Sequence, residues 1–532
     1  MPDVHSQSTL RARKFHIHTF GCQMNEADSE QMGSELRDAG LTPTDTAEDA
    51  DVILVNGCSI REKATHKALS QLGRYQHMNP KPFIGLGGCV GQLEKKSVFE
   101  RQPYVDFVFG PDAIGQLPEI LFRLENGERH FAVTEFDRTR NYSLKTKLLK
   151  TSHQAFVNIM KGCDKFCSYC IVPFTRGREK SRTIDEVLDD LARLVSEGVR
   201  EVTLLGQNVN SFGKGNKNVK DRWPRELHNV IGPVGPKAGE ENFPQLLRAM
   251  DADPRLAGLA RIRFTSSHPL DFSDELIQCY HPISGVKKLA AHLHLPVQSG
   301  SNRILQRMSR HHKIEDYIAQ MHKLRALRPD VSLTTDLIVG FPGETEEDFQ
   351  KTLDLIDELE FDSLYVFAYS PRPGTKAEGL EDDVPAAEKS RRLGLVLERS
   401  REMALRQNMR KFGENLRVLV EGPAKLQYAE AEESEGAAVP AERELAAPAA
   451  EVLATATGPV ATVPAATASA TVAGQGAGPG LVTWVGRSSC NRVVLFKSGQ
   501  ARELRGQWVN VRIERATPLS VFGEVAHKGV AS

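Results

Sequence analysis

The chain has 532 residues, of which 26% are charged and 40% hydrophobic, and its formal net charge is −1. This length suits about three domains of ordinary size. The sequence has no apolar run of about eighteen residues, and its N-terminus lacks the apolar core of a secretion signal, so we expect a cytoplasmic protein without a membrane segment. Eight cysteines in that compartment indicate metal binding or catalysis rather than a disulfide framework.

Short apolar runs alternate with helical patterns over residues 14–135. The runs "FHIHTF", "DVILVNG" and "FIGLGG" predict strands of a parallel α/β sheet. Cys22, Cys58 and Cys89 each follow one of these runs and lie next to glycine, in "FGCQMN", "NGCSI" and "GGCVG". The carboxyl ends of parallel strands share one edge of a sheet, so we expect the three thiols to converge there.

Three converging thiols have more than one interpretation. A free cysteine also behaves as a small hydrophobic residue, so simple core packing is one alternative. Three soft ligands suit an iron–sulfur cluster or zinc. A structural zinc site normally takes a fourth protein ligand.

Strands and amphipathic helices repeat on a larger scale over residues 149–400. The strings "AFVNIM", "EVTLLG", "ARIRFTSS", "LAAHLHLPV", "VSLTTDLIVG" and "SLYVFAYS" predict six strands of an open, partial (β/α)6 barrel. Within "GFPGETEED", Thr345 is predicted to cap the following helix, with Asp348 three residues on partly filling the Glu/Gln role of a capping box.

The loop after the first predicted barrel strand carries three more cysteines, Cys163, Cys167 and Cys170, in "KGCDKFCSYC". Active sites in such barrels form at this end of the strands. The Cys-x3-Cys-x2-Cys spacing surrounds one side of a compact cluster and leaves one metal without a protein ligand. Zinc would require a fourth Cys or His nearby, and none follows within the loop.

Other polar residues also follow predicted barrel strands, where a cofactor would bind. Small polar residues favour turns for backbone reasons as well, so packing or turn formation is the alternative for each. The candidates for cofactor contacts are Gln207, Asn208, Ser267, Gln298 and Gly340. Arg176 and Arg178, beside the cysteine loop, are candidates for contacts with RNA phosphates.

A low-complexity segment interrupts the C-terminal region. Residues 421–480 carry a net charge of −6, and residues 429–480, rich in Ala, Pro and Thr, are expected to be a disordered insertion. The flanking segments, 404–428 and 481–528, alternate like the strands of a small β-barrel and are strongly basic. We expect this surface to bind RNA, with Arg487, Arg492 and Arg512 as candidate contacts, although basic surfaces are often merely solvated. Cys279 and Cys490 have no partner thiol in sequence and are expected to be packed cysteines.

The motifs together resemble a known family. "TFGCQMNEADSE", "NGCSIREKA", "GGCVGQ", "KGCDKFCSYCIVPFTRGRE", "LLGQNVNSFG", "HLPVQSGSN" and "DLIVGFPGETEEDF" are similar to the radical S-adenosylmethionine methylthiotransferases. The first of them favours the branch that acts on N6-isopentenyladenosine in tRNA. One difference is local: the family usually has Asn-Thr-Cys where this chain has Asn56-Gly57-Cys58.

The resemblance implies two [4Fe-4S] clusters, one held by each set of three cysteines, with S-adenosylmethionine on the cluster of the barrel loop. Tyr169 matches the residue that lies beside the adenine of this cofactor. One S-adenosylmethionine would methylate a sulfur, and a second would generate the 5′-deoxyadenosyl radical that allows transfer of CH₃S to carbon 2 of the base at position 37. The C-terminal barrel resembles the TRAM domain.

The partners implied by this resemblance are the anticodon stem-loop of tRNA, an electron donor such as a flavodoxin or ferredoxin, and an iron–sulfur carrier protein. Two alternatives remain at this point. A sister methylthiotransferase would act on N6-threonylcarbamoyladenosine or on a ribosomal protein side chain. A non-catalytic RNA-binding iron–sulfur protein would not need a complete radical loop on a barrel.

Overall fold

The computed structural model describes residues 10–59, 62–136, 145–149, 152–213, 241–424, 482–499 and 503–526. Three units follow one another along the chain, two of them built on parallel sheets and the third on a barrel of mostly antiparallel strands. In these ranges no helix combines the length and the apolar character needed to cross a bilayer. The low-complexity segment predicted at 429–480 lies outside the described residues.

The first unit is a six-stranded parallel sheet with helices on both faces. Its strands are β1 (Lys14–Phe20), β2 (Thr42–Pro43), β3 (Val52–Gly57), β4 (Phe83–Gly87), β5 (Phe107–Phe109) and β6 (Phe131–Val133). Its helices are α1 (Gln23–Asp38), α2 (Glu62–Arg74), α3 (Gly88–Glu94), α4 (Val98–Arg101) and α5 (Leu117–Glu125). The strand order is β2-β1-β3-β4-β5-β6, and the three strands predicted from the sequence are its centre.

The central strand β3 explains why this sheet has two cores. Val52 and Leu54 pack into one apolar cluster, and Ile53 and Val55 pack into another. Successive side chains of a strand point to opposite faces, so a continuous apolar run is buried only if helices cover both faces. The run "DVILVNG" therefore fixes β3 in the interior of the sheet.

The second unit is the predicted partial barrel. Its six main strands are β7 (Gln154–Asn158), β10 (Glu201–Leu205), β11 (Arg261–Phe264), β12 (His292–His294), β13 (Ser332–Val339) and β14 (Ser363–Ala368), and a short antiparallel pair is formed by β8 (Met160–Lys161) and β9 (Lys180–Ser181). The six strands form two parallel three-stranded sheets, β11-β10-β7 and β12-β13-β14. A bridge between Ile262 and Leu289 links the two sheets, so the six strands form one open barrel wall.

Helices alternate with these strands, as the sequence predicts. They are α6 (Val172–Arg176), α7 (Ile184–Ser196), α8 (Phe243–Ala252), α9 (Asp274–Cys279), α10 (Asn302–Arg307), α11 (Ile314–Leu327), α12 (Glu346–Leu359) and α13 (Ala386–Met409). The capping box predicted for α12 is confirmed, because the Thr345 hydroxyl accepts a hydrogen bond from the Asp348 amide and the Asp348 carboxylate accepts one from the Thr345 amide.

Two predicted strands differ in detail from the observed ones. The string "LAAHLHLPV" yields only the three residues of β12. Pro296 follows β12 and lacks the amide hydrogen that a continuing strand needs. In "AFVNIM", the final methionine belongs to β8, which turns back against β9 and so starts the cysteine loop away from the barrel wall.

The third unit is a closed five-stranded barrel. Its strands are β15 (Asn415–Pro423), β16 (Val482–Ser488), β17 (Val493–Ser498), β18 (Trp508–Ala516) and β19 (Val521–Val525), in the order β15-β16-β17-β19-β18. Pro423 pairs with Trp484, so the ends of β15 and β16 lie side by side. The α/β fold class, with a small C-terminal β-barrel, is confirmed.

The turn between β16 and β17 packs against the amino-terminal end of the second unit's barrel strands. Arg261 and Arg263 form buried ion pairs with Glu201. The same two guanidinium groups donate hydrogen bonds to the backbone carbonyls of Ser488 and Ser489. Cys490 is buried in this turn and Cys279 in the barrel core, so the prediction that both are packed cysteines is confirmed.

Candidate active site

Cys22, Cys58 and Cys89 lie together at the carboxyl edge of the first sheet. Cys22 follows β1 and is the N-cap of α1, Cys58 follows β3, and Cys89 is the second residue of α3. The thiols of Cys22 and Cys58 are in hydrogen-bond contact, and Cys89 lies within electrostatic range of Cys22. We call these three residues the N-terminal triad.

Two glycines make room for this triad. A Cβ atom on Gly21 would lie 2.5 Å from the Cβ atom of Cys58, and one on Gly88 would lie 2.2 Å from Oδ1 of Asn56. Gly88 also has a φ of +75°, in the left-handed region that only glycine adopts without cost. The close approach of strand ends that the sequence predicts therefore depends on residues without side chains.

Two buried asparagines hold the strand ends in position. The Asn25 side chain donates to Oδ1 of Asn56, and Asn56 donates in return to the backbone carbonyl of Asn25 and to the hydroxyl of Ser29. Oδ1 of Asn25 accepts from the amide of Cys22. The sequence reasoning missed both residues, although each stands within three positions of a triad cysteine.

Electrostatic surroundings differ among the thiols of the N-terminal triad. A hydrogen bond with Cys58 lowers the pKa of Cys22 to about 6, and the positive charge of Arg176 acts in the same direction. Burial raises the pKa of the Cys89 thiol, and Arg176 opposes that rise. A cation next to thiolates stabilises the ionised form in which cysteine binds metals.

The second set of cysteines, Cys163, Cys167 and Cys170, lies in the loop between β8 and α6, and we call it the loop triad. Burial raises the pKa of Cys170 to about 12 and that of Cys163 well above its usual value. Nη1 of Arg310 lies 3.6 Å from Sγ of Cys167. The loop is anchored to the barrel because the amide and hydroxyl of Ser168 donate to the carbonyls of Met308 and Arg307.

Among the described residues, no three Cys, His, Asp or Glu side chains are grouped as ligands of one metal ion. A four-iron cluster takes each thiolate on a different iron, so its three cysteines need not surround a single centre. Both triads consist only of thiols, the donor type that iron–sulfur clusters use. The donor set of each triad therefore fits such a cluster.

Buried polar atoms without a protein partner accumulate beside the loop triad. They follow the carboxyl ends of β10 and β11 or lie in the segment after α10, and they are Nε2 of Gln207, Oδ1 of Asn208, Oγ of Ser267, Nε2 of His268, Nε of Arg310 and Nε2 of His312. Buried polar groups are normally hydrogen-bonded. This set of donors and acceptors fits a small, highly polar ligand such as the amino acid portion of S-adenosylmethionine.

The other polar atoms of these residues are held by the protein. Oε1 of Gln207 accepts from the amide of Gly162 at 2.5 Å, and the Asn208 amide donates to Asp271 at 2.8 Å. Asp271 also forms an ion pair with Lys165 of the cysteine loop at 2.7 Å. Gln207 and Asn208 are thus each hydrogen-bonded to the protein through one polar atom and have a second one without a protein partner.

His268 also has one ring nitrogen bonded to the protein and one without a partner, and its tautomer is defined. Its Nδ1 accepts a hydrogen bond from the amide of Leu270, so Nε2 carries the hydrogen. Burial, together with the nearby positive charge of Arg310, keeps the pKa of His268 well below its usual value, and the ring is neutral. His268 therefore presents an N–H donor beside the loop triad.

The remaining predicted cofactor residues lie at the same end of the barrel. Gln298 is buried with a φ of +80° and bridges to Leu337 of β13, and the amide of Gly340 donates to Oε2 of Glu344 at 2.6 Å. The ring of Tyr169 packs edge-on against Phe341 at 6.4 Å between centroids. Cofactor contacts by these three residues stay predictions.

Several residues of this site were missed by the sequence reasoning. Arg310 and His312 belong to "SRHH", a basic run after α10 that could have been noticed because it stands at the end of a barrel unit. Glu179 lies beside the loop and accepts a hydrogen bond from Ser211 at 2.7 Å. Burial raises its pKa to about 8.

Two of the predicted RNA contacts require correction. Arg176 and Arg492 are 6% and 9% exposed, respectively, and their guanidinium groups form ion pairs with Asp28 and Asp362. Because these groups are buried against protein carboxylates, we reassign both residues from RNA contact to internal ion pairing. A basic residue near the site in sequence does not have to face solvent.

The other three predicted RNA contacts differ in exposure. Arg178 pairs with Asp164, and Arg487 lies 3.0 Å from Glu421. Arg512 lies exposed on β18. An exposed neighbour that the sequence reasoning did not single out is Arg417, whose guanidinium stacks over the Trp508 ring at 4.6 Å.

Comparison with known proteins covers both α/β units. Residues 14–110 match the profile described as Uncharacterized protein family UPF0004, and residues 157–356 match the Radical SAM superfamily. Among solved structures, the radical S-adenosylmethionine methyltransferase TsrM from Kitasatospora setae aligns with a TM-score of 0.48 and 15% identity, over 69% of this chain and 77% of that one.

Curated relatives match over more of the chain. A protein from Ralstonia pickettii (strain 12J), named tRNA-2-methylthio-N(6)-dimethylallyladenosine synthase, is 40% identical over 98% of this chain and 99% of its own length. A protein of the same name from Chromohalobacter salexigens is 38% identical over 97% of this chain and 99% of its own length. Another, from Paraburkholderia xenovorans (strain LB400), is 44% identical over 78% of this chain and 86% of its own length. The chain therefore belongs to the family of tRNA-2-methylthio-N(6)-dimethylallyladenosine synthases.

Proposed function

We propose that this protein transfers a methylthio group to carbon 2 of N6-dimethylallyladenosine in tRNA, at position 37 of the anticodon stem-loop. The observation that carries the proposal is the 40% identity with a synthase of that name over nearly the full length of both chains. The site supports it, because two separate sets of three thiols lie on two packed units.

Cys163, Cys167 and Cys170 would hold one [4Fe-4S] cluster, and Cys22, Cys58 and Cys89 a second. When bound, these groups supply reductive cleavage of one S-adenosylmethionine at the loop triad and a site for the methylated sulfur at the N-terminal triad. The cofactors supply this radical and transfer chemistry. The protein chain contributes binding, orientation and exclusion of water.

Orientation of S-adenosylmethionine is the role we assign to the partnerless polar atoms at the barrel end. Asn208 and Ser267 offer an acceptor and a hydroxyl group, and His268 offers a neutral N–H donor. The positive charge of Lys165 is balanced by its ion pair with Asp271. The same carboxylate accepts a hydrogen bond from the Asn208 side chain and holds it in place. A preorganised polar site of this type binds its ligand without first rearranging.

Binding of tRNA is assigned to the exposed basic face of the C-terminal barrel. Arg512 and Arg417 are exposed on neighbouring strands, and Asn415 of β15 pairs directly with Arg512 of β18. Positive side chains on such a face attract the phosphate backbone and make the affinity dependent on salt. The electron donor, such as a flavodoxin or ferredoxin, and an iron–sulfur carrier protein complete the proposed set of partners.

The test is chemical analysis of tRNA. Cells that lack this protein are expected to contain N6-dimethylallyladenosine in place of its 2-methylthio derivative, detected by mass spectrometry of nucleosides from digested tRNA. Reintroducing the intact gene should restore the derivative, and a variant with Cys163, Cys167 and Cys170 replaced by Ala should not. Loss of a modified threonylcarbamoyladenosine or of a methylthiolated ribosomal protein instead would assign the enzyme to a sister branch.

The number of clusters is tested separately. Anaerobic reconstitution of the purified protein is expected to yield about eight irons per chain, by the four-iron stoichiometry of each cluster. Mössbauer spectroscopy should identify both as [4Fe-4S]. About four irons, unchanged when Cys22, Cys58 and Cys89 are replaced together, would refute the second cluster.

A further inference from the structure

The interior of the second unit's barrel is polar and only partly filled. On β12 and β13, Leu293, Leu333 and Leu337 belong to the apolar core shared with the surrounding helices. Successive side chains of a strand point to opposite faces, so His294 and Asp336 point into the barrel. Their side chains are 16% and 29% exposed, although side chains fill the interior of closed α/β barrels. The interior therefore has room for a ligand.

This interior face reaches both triads. On the wall formed by β7 and β10, the interior residues Phe156 and Leu205 pack with Cys22 of the N-terminal triad. On the wall formed by β13, Ile338 packs in the cluster that includes Tyr169, which lies between two cysteines of the loop triad. The barrel interior is thus the space next to both triads, where the proposed function requires the target base.

Asp336 lies deeper in the barrel than the atoms assigned to S-adenosylmethionine. Strand β13 continues to Val339, so at about 3.3 Å per residue Asp336 lies about 10 Å below the strand end. Asn208 and Ser267, by contrast, follow the ends of their strands. A group that contacts Asp336 has to enter the barrel, as a base flipped out of an RNA stack enters the pocket of an enzyme that acts on it.

One side of the Asp336 carboxylate faces a histidine. Nε2 of His294 lies 3.5 Å from Oδ1 of Asp336, and Nδ1 of His294 lies 3.0 Å from the hydroxyl of Thr334. A carboxylate only accepts, so Nε2 carries the hydrogen and Nδ1 accepts from Thr334. The contact with Asp336 is longer than a full hydrogen bond, and a carboxylate has about four lone-pair sites. Asp336 therefore retains the capacity to accept a hydrogen bond from a ligand.

We propose that Asp336 is a specificity-determining residue that accepts a hydrogen bond from the N6–H of the target base. The inference rests on the proposed function, in which that base is N6-dimethylallyladenine. N6 carries the one N–H group of this base in RNA, because N9 is bonded to ribose and the other ring nitrogens are acceptors. A site that accepts from such a group rejects an analogue without it, since the carboxylate would then face another acceptor.

The test compares two synthetic anticodon stem-loops that differ at one position of the base. The first carries N6-dimethylallyladenosine at position 37. The second carries O6-dimethylallylinosine, in which an ether oxygen replaces the N–H and the shape of the base is kept. Dissociation constants are measured by competition, with the reconstituted holoenzyme and S-adenosylmethionine but without a reductant, so that no turnover occurs. We expect the wild type to prefer the first stem-loop by about tenfold to a hundredfold, the size of a hydrogen bond to a charged group.

Two substitutions of Asp336 test the assignment. D336N keeps the shape, and its amide can donate to the ether oxygen, so it should bind the second stem-loop more tightly than the wild type does. D336L offers neither donor nor acceptor, so its affinity for the first stem-loop should fall to that for the second. The matched control is T203V, which changes another interior polar side chain on β10 and should keep the wild-type preference.

The affinity for S-adenosylmethionine separates base recognition from cofactor binding. Isothermal titration calorimetry should give the same cofactor affinity for D336N and the wild type. A loss of cofactor affinity in D336N with an unchanged stem-loop preference would assign the carboxylate to the ribose hydroxyls of the cofactor and overturn the inference. A wild type without preference, or a T203V variant that loses it equally, would do the same.

Failure of the proposed function would look different. It would appear as a wild-type enzyme that does not methylthiolate the first stem-loop under reducing conditions. An enzyme that methylthiolates this stem-loop but binds both stem-loops equally would contradict only the role of Asp336. The two failures are therefore distinguishable.

Discussion

Individual cysteines in the two triads stand in different settings. Those of the N-terminal triad come from three strand ends, and those of the loop triad belong to one loop. Each triad has a buried arginine nearby: the charge of Arg176 lowers the pKa of Cys22, and Arg310 lies beside Cys167. Partnerless polar atoms accumulate beside the loop triad. We therefore expect a small molecule to bind at the loop triad.

Replacing each triad separately should distinguish the cleavage of S-adenosylmethionine from the thiolation of the base. With Cys163, Cys167 and Cys170 changed to Ala, we expect no reductive cleavage of S-adenosylmethionine to 5′-deoxyadenosine, because the cofactor has lost its iron. With Cys22, Cys58 and Cys89 changed to Ala, cleavage should continue without thiolated base. Chromatography of both products measures this, and equal loss of cleavage in the two variants would contradict the division.

The Nε2 hydrogen of His268 should contribute to cofactor affinity. Asparagine in H268N keeps an oxygen that can accept from the Leu270 amide, but its shorter side chain does not place an N–H donor at the position of Nε2. We expect S-adenosylmethionine binding to weaken by up to about tenfold, the size of one lost hydrogen bond. Isothermal titration calorimetry of the reconstituted protein measures the change.

His281 provides the matched control for this prediction. Its Nδ1 likewise accepts backbone amides, from Ile283 and Ser284, but it lies in the surface turn after α9. H281N should bind the cofactor like the wild type. Equal weakening in both variants would show that the turn, and not the Nε2 donor, is what matters at His268.

At the scale of the secondary-structure elements, the N-terminal triad is formed where strands end and helices begin. Cys22 is the N-cap of α1 and Cys89 is the second residue of α3, so two residues of the N-terminal triad lie at helix starts. Backbone N–H groups at helix N-termini lack intrahelical partners and favour negative charge nearby. The turn from β4 into α3 requires Gly88 at a positive φ.

Alanine at Gly88 should damage the N-terminal triad. Two costs add: about 1 kcal/mol for the left-handed backbone, and roughly 1–3 kcal/mol for the clash of the new Cβ with Asn56. We expect a lower melting temperature and loss of iron from this triad alone. The control is G127A, whose φ is +92° but whose Cβ would meet nothing within 4 Å, so only the backbone cost should appear. Equal effects of the two changes would rule out crowding at Asn56.

At the scale of the whole molecule, the C-terminal barrel packs directly against the second unit. Arg492 pairs with Asp362, and Arg261 and Arg263 bond to the turn after β16. The guanidinium groups of Arg261 and Arg417 both lie over the Trp508 ring, at 4.5 Å and 4.6 Å from a ring centroid. This docking fixes the orientation of the exposed basic strands relative to the active site.

Removing residues 429–480 and joining the ends with a short Gly/Ser linker should leave folding and methylthiolation intact. β15 and β16 already pair side by side, and the entropy of closing a loop changes slowly with its length. Because residues 421–480 carry a net charge of −6, tRNA binding should tighten at low salt. Binding and activity across a salt series measure this.

Deletion of the whole C-terminal barrel is the comparison for that experiment. It should weaken tRNA binding strongly and lower activity, since it removes Arg417 and Arg512 together with the docking contacts. If the internal excision causes the same loss, residues 429–480 are a functional part of the enzyme and their predicted boundary is wrong.

Some features could be predicted because they depend on neighbours in the chain. The capping box of Thr345 and Asp348 spans four residues, and the strand β3 follows from one apolar run. The positions of Cys22, Cys58 and Cys89 at one sheet edge follow from the regular alternation of strand and helix. In each case a local pattern contains the information.

The sequence by itself determined the cysteine spacing, the order of strands and helices, and the family motifs, because these are properties of short segments. Only the tertiary structure decided that Arg176 pairs with Asp28, 148 residues away, and that Arg310 meets Cys167 across 143 residues. Charge alone does not tell an exposed arginine from a buried one, since burial depends on which distant carboxylate compensates the loss of water around the guanidinium group. Arg512 and Arg492 are both arginines on or beside barrel strands, yet one is exposed and the other is buried at an interface between units.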